Sequence, residues 1–145
     1  MKNIKLQSET LQISIYCEVI LNILQEHANL SLSKIVVFSY LVKKNKYESQ
    51  RLYDGRHSAD LMYKSLSLLS GDFDEFSNSI GLVLKSIHIL KINGLIEFED
   101  GILKRNFKKL DTKSLYGESI FLKKAIEESR NISDKQFFKE VLCSV

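Results

Sequence analysis

The chain has 145 residues, of which 44% are hydrophobic, so it can form one domain with a substantial core. Its net charge of +3 comes from 18 acidic residues and 21 basic ones, 17 lysines and four arginines. It contains no uncharged apolar run of about 18 residues and no signal-peptide core, so we expect neither a membrane span nor export. The expectation is a single cytoplasmic domain, residues 1–145.

Two cysteines, Cys17 and Cys143, lie in apolar segments near opposite ends of the chain. In a cytoplasmic protein, this placement favours two reduced, buried thiols. A disulfide or a metal-binding pair is the alternative.

The first predicted element is a long helix from Glu9 to Ala28, with Ser8 as its N-cap. With the cap included, this N-terminal helix occupies residues 8–28 of the domain. Apolar residues recur every four positions in two adjacent rows. That band is wider than a surface helix needs, so we expect the helix to be covered on two sides.

A core resembling a winged helix-turn-helix domain is predicted for residues 30–110. Its helices are expected at 30–45, 58–69 and 72–93, and Gly94 is expected to stop the third in a left-handed conformation. The candidate N-caps are Ser31 or Ser33 for the first helix and Asp72 or Asp74 for the third.

The segment "LIEFEDGILKRN", residues 95–106, predicts a β-hairpin. Apolar and acidic residues alternate before Asp100-Gly101, a strong two-residue turn signal. Two more helices are expected at 114–130 and 133–142, within a C-terminal extension of residues 113–145. The predicted fold class is therefore mainly α with a small β-hairpin.

The helix before the hairpin is where a winged-helix protein would read DNA. At 100° per residue, its side opposite the predicted core carries several large aliphatic residues and one lysine, which suits a protein contact better than a DNA groove. Cover by the C-terminal helices and DNA reading are the alternatives. The candidate partner interface is Leu82, Lys85, Ile89 and Ile92.

The hairpin ends in a basic segment, "LKRNFKKL". Lysine and arginine at such a position can follow a phosphate backbone without reading bases. A solvated strand end is the alternative. The candidate DNA-backbone residues are Lys104, Arg105, Lys108 and Lys109.

Enzyme signatures are missing from the sequence. The six glycines form no phosphate-binding loop, and the three histidines have no metal-ligand spacing. The densest polar group, "DGRHSAD" at 54–60, is best explained as a turn followed by a helix cap, with a small acid–base enzyme site as the remote alternative. We expect no catalytic residues, no cofactor and no metal.

Three stretches together resemble one known family. They are "LQISIYCEVILNILQEH" leading into "LSLSKIVVFSYLV", then "YKSLSLLSGDFDEFSNSIGLVLKSIHILKINGLIEFEDGILK", and the tail "SLYGESIFLKKAIEESRNISDKQFFKEVLCSV". In this order and over nearly the full length, the chain is similar to the middle component of bacterial three-component ABC systems, the group that includes Lamassu anti-phage defence.

The resemblance implies a non-catalytic accessory subunit. In such systems an SMC-like ATPase senses foreign DNA, an effector such as a nuclease acts, and the middle component joins the two. The resemblance therefore implies an adaptor in anti-phage or anti-plasmid defence, with those two subunits as partners. The alternative is a winged-helix transcriptional regulator that binds DNA.

Overall fold

A computed structural model of the chain describes residues 2–44, 59–106 and 120–145. Within these ranges the protein is mainly helical with one small antiparallel sheet, which confirms the predicted fold class at that level. In chain order the elements are α1 (Lys2–His27), β1 (Asn29–Ser31), α2 (Leu32–Lys44), α3 (Ala59–Ser67), α4 (Phe73–Ile92), β2 (Ile96–Glu99), β3 (Ile102–Arg105), α5 (Ile120–Ser129) and α6 (Asp134–Ser144).

Helix α2 is the centre of the described structure, because residues 34–42 are all buried. The Phe38 ring lies 5.7 Å from Phe137 on α6, and the Tyr40 ring lies 5.4 Å from Phe76 on α4. Phe38 and Tyr40 are two positions apart, which corresponds to a rotation of about 200° around the axis of α2. Helices α4 and α6 therefore pack on opposite sides of α2.

Helix α1 begins at Lys2, so the predicted start at Glu9 and the predicted Ser8 cap are wrong. Residues 2–8 contain neither glycine nor proline, and the first half of α1 lies against α4, where Glu9 forms an ion pair with Lys85. These features extend the helix through its candidate cap. Its buried residues begin at Tyr16, and the helix packs against both α2 and α4, as expected from its wide apolar band.

The hairpin is confirmed, and the sheet has a third strand that the sequence did not predict. Asp100 and Gly101 have φ of 54° and 77°, as a type I′ turn requires. The strand order is β1-β3-β2, with Leu30 of β1 opposite Leu103 of β3. Leu32 N donates to Gly101 O at 2.9 Å, so the hairpin turn also accepts a hydrogen bond from the start of α2.

Helix α4 ends as predicted, within one residue. Gly94 has φ of 71°, its N–H donates to Lys91 O, and Leu95 N donates to Leu90 O at 3.0 Å. This Schellman arrangement satisfies the last carbonyls of the helix. It also turns the chain directly into β2.

Helix α4 starts after Asp72, one of the two predicted caps, but the Asp72 carboxylate makes no capping hydrogen bond. It accepts a hydrogen bond from Tyr40 Oη at 3.2 Å and pairs with Lys44. The side chain therefore ties α4 to α2.

The two C-terminal helices pack against α2 and α3. Helix α6 begins at Asp134, one residue after its predicted start, and it is capped by Ser133, whose Oγ accepts a hydrogen bond from Gln136 N at 3.2 Å. Helix α5 is described from Ile120, and its predicted start at Ser114 lies outside the described residues.

Both cysteines are free, but they are not both buried. Cys17 is half-buried, and Cys143 is exposed because it lies near the end of α6, away from the α2 contact. The expectation of two buried thiols is therefore wrong for Cys143. None of the helices in the described ranges combines the length and the hydropathy needed to cross a bilayer.

Candidate interaction surface

The inner side of α4 is formed by residues that recur at three- and four-residue intervals. Val83, Ile87 and Leu90 are buried there, and Phe76 meets Tyr40 edge to face. This packing fixes which side of α4 points outward.

Part of the side predicted to meet a partner is covered by α1. The Ser86 hydroxyl is buried and hydrogen-bonds to Ile13 O, 3.1 Å away, while Lys85 pairs with Glu9. Leu82 is partly buried and packs against the core. Leu82 therefore differs from the expectation of a free face, because the longer α1 lies across it, whereas Lys85 stays 60% exposed and is paired with Glu9.

The rest of that side is exposed and apolar. Ile89 is 41% exposed and Ile92 is 68% exposed; Leu84, which the helical wheel placed on the core side, is 44% exposed next to them. His88 and Lys91 lie among them, and no Asp or Glu occurs between Phe76 and Ile96. We call Leu84, His88, Ile89, Lys91 and Ile92 the α4 outer face.

The α4 outer face continues towards the hairpin. Lys91 Nζ lies 5.9 Å from the centroid of the Phe98 ring, and Phe98 is itself partly exposed. The alternative expected from the sequence was that the C-terminal helices cover this face. Instead, α5 and α6 lie against α2 and α3. In the described structure, the aliphatic residues of this face remain exposed to solvent.

The two described DNA-backbone candidates lie on different faces of β3. Arg105 donates to Leu21 O at 3.2 Å and to Gln25 Oε1 at 2.6 Å, so its guanidinium is bound to α1. Lys104 is exposed on the other face, opposite Asn29 and Glu97 in the sheet register. Lys108 and Lys109 lie outside the described residues.

The exposed part of the hairpin is acidic rather than basic. Glu97, Glu99 and Asp100 are all exposed, against one exposed lysine, Lys104. Carboxylates and a phosphate backbone are both negatively charged, so they repel each other and oppose binding. The described hairpin residues therefore give less support to DNA contact than the basic segment suggested.

A cavity of about 510 Å³ lies between α1, α2 and α4. Lys43 Nζ donates to Gln12 Oε1 at 2.7 Å and lies 4.8 Å from the Tyr16 ring centroid. Burial lowers the pKa of Lys43 and raises the pKa values of Tyr16 and Tyr40 to about 12. A tyrosine with such a pKa stays protonated at neutral pH, so it cannot serve as a general base there.

Sequence reasoning missed the contacts that join the C-terminal helices to α1. His27 is buried, its Nδ1 lies 2.5 Å from Glu127 Oε1, and Arg130 binds His27 O and Asn29 O. These partners are about 100 positions apart in the chain, and no local pattern marks them. Arg130 and Glu127 therefore act as structural links between the two ends.

The polar group at 54–60, the remote enzyme candidate, has no described side chains. Among the residues that the structure does describe, no three or more His, Cys, Asp or Glu side chains cluster as a metal site would require. No protein-family model, no curated protein and no solved structure matches this chain at a significant level.

Proposed function

We propose that this chain is a non-catalytic adaptor subunit that binds another protein through the α4 outer face. The observation that carries the proposal is the exposure of Leu84, Ile89 and Ile92 on one helix that the rest of the described structure leaves uncovered. Large aliphatic residues grouped on a surface are typical of protein interfaces.

The chemistry of this face favours a protein over DNA. A helix that reads bases presents arginine, asparagine or glutamine to the groove. The α4 outer face instead has three aliphatic residues with His88 and Lys91, and the adjoining hairpin presents Glu97 and Glu99. We therefore assign α4 to protein contact, although α4, like the DNA-recognition helix of a winged-helix protein, comes directly before a hairpin.

The proposed setting is the one that the family resemblance implies. The partners would be an SMC-like ATPase and an effector such as a nuclease, in a prokaryotic anti-phage or anti-plasmid complex. The order of a strand, three helices and a hairpin, from β1 to β3, supports a winged-helix-like core as part of this proposal. The ATPase and the effector would carry out the reactions, and this subunit would hold the two together.

The test is co-purification with the products of neighbouring genes. We expect Ile89→Asp combined with Ile92→Asp to abolish capture of one partner, since two charges would be buried without partners. Ile120→Asp is the matched control, because Ile120 is 69% exposed on α5, as Ile92 is on α4. Equal capture by the double variant and the control would rule out this interface.

A DNA-binding regulator is the second candidate, favoured by Lys91 and Lys104 beside the hairpin. It predicts binding to DNA that weakens steeply with salt and falls when Lys91→Glu and Lys104→Glu are combined. Unchanged DNA mobility at low salt would remove this candidate and leave the adaptor proposal in place.

A further inference from the structure

Helix α6 has a second exposed face with a composition of its own. Its inner side is anchored by Phe137 and Val141, which are buried against the core. On the other side, Phe138 is 47% exposed and Leu142 is 65% exposed, and the exposed Lys135 and Lys139 lie on the same side at helical spacing. We call Lys135, Phe138, Lys139 and Leu142 the α6 outer face.

The acids of α6 point away from this face. Glu140 accepts a hydrogen bond from Gln136 Nε2 at 2.8 Å. Asp134 lies near the start of α2, 3.4 Å from Ser33 Oγ and 3.9 Å from Lys34 Nζ. The α6 outer face is therefore both apolar and positively charged, with no carboxylate of its own helix to neutralise it.

This face lies on the far side of the molecule from α4. Phe137 of α6 packs on Phe38, whereas Phe76 of α4 packs on Tyr40, about 200° around α2. A partner on α6 would therefore leave the α4 outer face accessible. That arrangement is what a subunit joining two proteins requires.

From this charge pattern we propose that the α6 outer face binds an amphipathic helix of another protein, one that carries aliphatic residues flanked by Asp or Glu. The aliphatic residues would pack on Phe138 and Leu142, and the carboxylates would pair with Lys135 and Lys139. The inference rests on the proposed adaptor function and adds a second docking site with a defined partner chemistry.

The charges also argue against other occupants. In a symmetric α6–α6 dimer the four lysines would face one another, which is unfavourable. Nucleic acid would use this face only in part, because the face has no arginine and one aromatic ring, and base stacking on Phe138 would leave Leu142 exposed. An acidic amphipathic helix would contact both the two lysines and the two apolar residues of the face.

The experiment uses the full-length chain carrying a fluorophore on Cys143 in a Cys17→Ala background. Cys143 is exposed and follows Leu142, so the dye reports on the edge of the face. The probe is a synthetic helical peptide of about 20 residues, roughly 30 Å long, with leucine on one side and glutamate on the others. A matched peptide has lysine in place of glutamate.

We expect saturable binding of the glutamate peptide, weakened by salt, with the lysine peptide at least about tenfold weaker. Lys135→Glu combined with Lys139→Glu should reverse this preference, so that the variant selects the lysine peptide. That gain of binding shows that the variant is folded. Lys104→Glu, an exposed lysine on the sheet, is the control and should leave the preference unchanged.

Four outcomes would overturn the proposal: no binding of either peptide, equal binding of both, an unchanged preference in the charge-reversed variant, or binding of phosphatidylserine vesicles without binding of the peptide. The α4 double variant separates this proposal from the adaptor proposal. It should bind the glutamate peptide normally while failing to capture its own partner.

Discussion

The hydroxyl of Ser39 is the clearest single-residue test of the packing around α2. Its Oγ is buried and has no hydrogen-bond partner within the described structure. An unsatisfied buried hydroxyl destabilises a fold, and alanine is a better helix former than serine. We expect Ser39→Ala to raise the free energy of unfolding by about 1 kcal/mol.

Chemical denaturation would measure this change. The matched control is Ser65→Ala, since Ser65 is equally buried but its Oγ donates to Met62 O at 2.6 Å. It should be less stable than Ser39→Ala by about 1 kcal/mol, the contribution of one hydrogen bond. A loss of stability in Ser39→Ala would show that its hydroxyl has a partner after all.

The two thiols should differ in reactivity. Cys143 is exposed, whereas Cys17 is half-buried with its Sγ 3.7 Å from Ser86 O, and burial raises the pKa of Cys17. Because the thiolate is the reactive form, Cys17 should react more slowly at neutral pH. We expect a disulfide reagent to modify the native protein in two phases, with Cys143→Ser removing the fast one. A single phase for both thiols would contradict this arrangement.

At the scale of elements, the pair between Glu9 and Lys85 adds to the packing that holds α1 across α4. A hydrogen bond and the charge of Lys85 lower the pKa of Glu9 in the folded state. A carboxyl whose folded pKa is lowered contributes stability above its unfolded pKa, near 4.5, and loses that contribution as pH falls through the folded value.

We therefore expect Glu9→Gln to lower the urea midpoint at pH 7. We expect a smaller difference from the unmodified chain at about pH 3, because the Glu9 carboxylate loses its charge, and with it its contribution, as the pH falls. Urea denaturation at both pH values is the measurement. Glu97→Gln is the control, because it makes the same substitution at a glutamate that is exposed on β2 and not placed between α1 and α4. Equal effects of the two variants at pH 7 would contradict the role of Glu9 in holding α1.

The elements that sequence predicted well are those with local signals. Asp100-Gly101 marks a type I′ turn in any context, and Gly94 marks the end of α4. Strand β1 was missed because its three residues have no alternation long enough to recognise, and its partner β3 lies over 70 positions away. The start of α1 was missed because the helix continues through its candidate cap, Ser8, into residues that contain neither glycine nor proline.

The candidate interface was predicted in part for the same reason. A helical wheel correctly placed Ile89 and Ile92 outside the core, because their exposure follows from the period of α4 alone. It could not show that α1 partly covers Leu82 and that Glu9 pairs with Lys85, since both depend on the three-dimensional path of α1. The α6 outer face was not singled out, because two lysines and two apolar residues at helical spacing are common on surface helices.

At the scale of the whole molecule, α2 separates two outward-facing helices. Helix α4 presents aliphatic residues with His88 and Lys91, and α6 presents Phe138 and Leu142 with two lysines. Both faces combine apolar area with positive charge, so both favour partners with acidic, apolar surfaces. Under the proposed adaptor function, a partner on one face would leave the other face accessible to a second protein.

The central claim is that a partner covers the α4 outer face. Covalent footprinting of side chains, applied to the isolated chain and to the complex with its co-purified partner, measures this directly. We predict that Ile89 and Ile92 are labelled in the isolated chain and protected in the complex. Ile120, the control, should be labelled to the same extent in both states. Equal labelling of Ile89 and Ile92 in both states would contradict the claim.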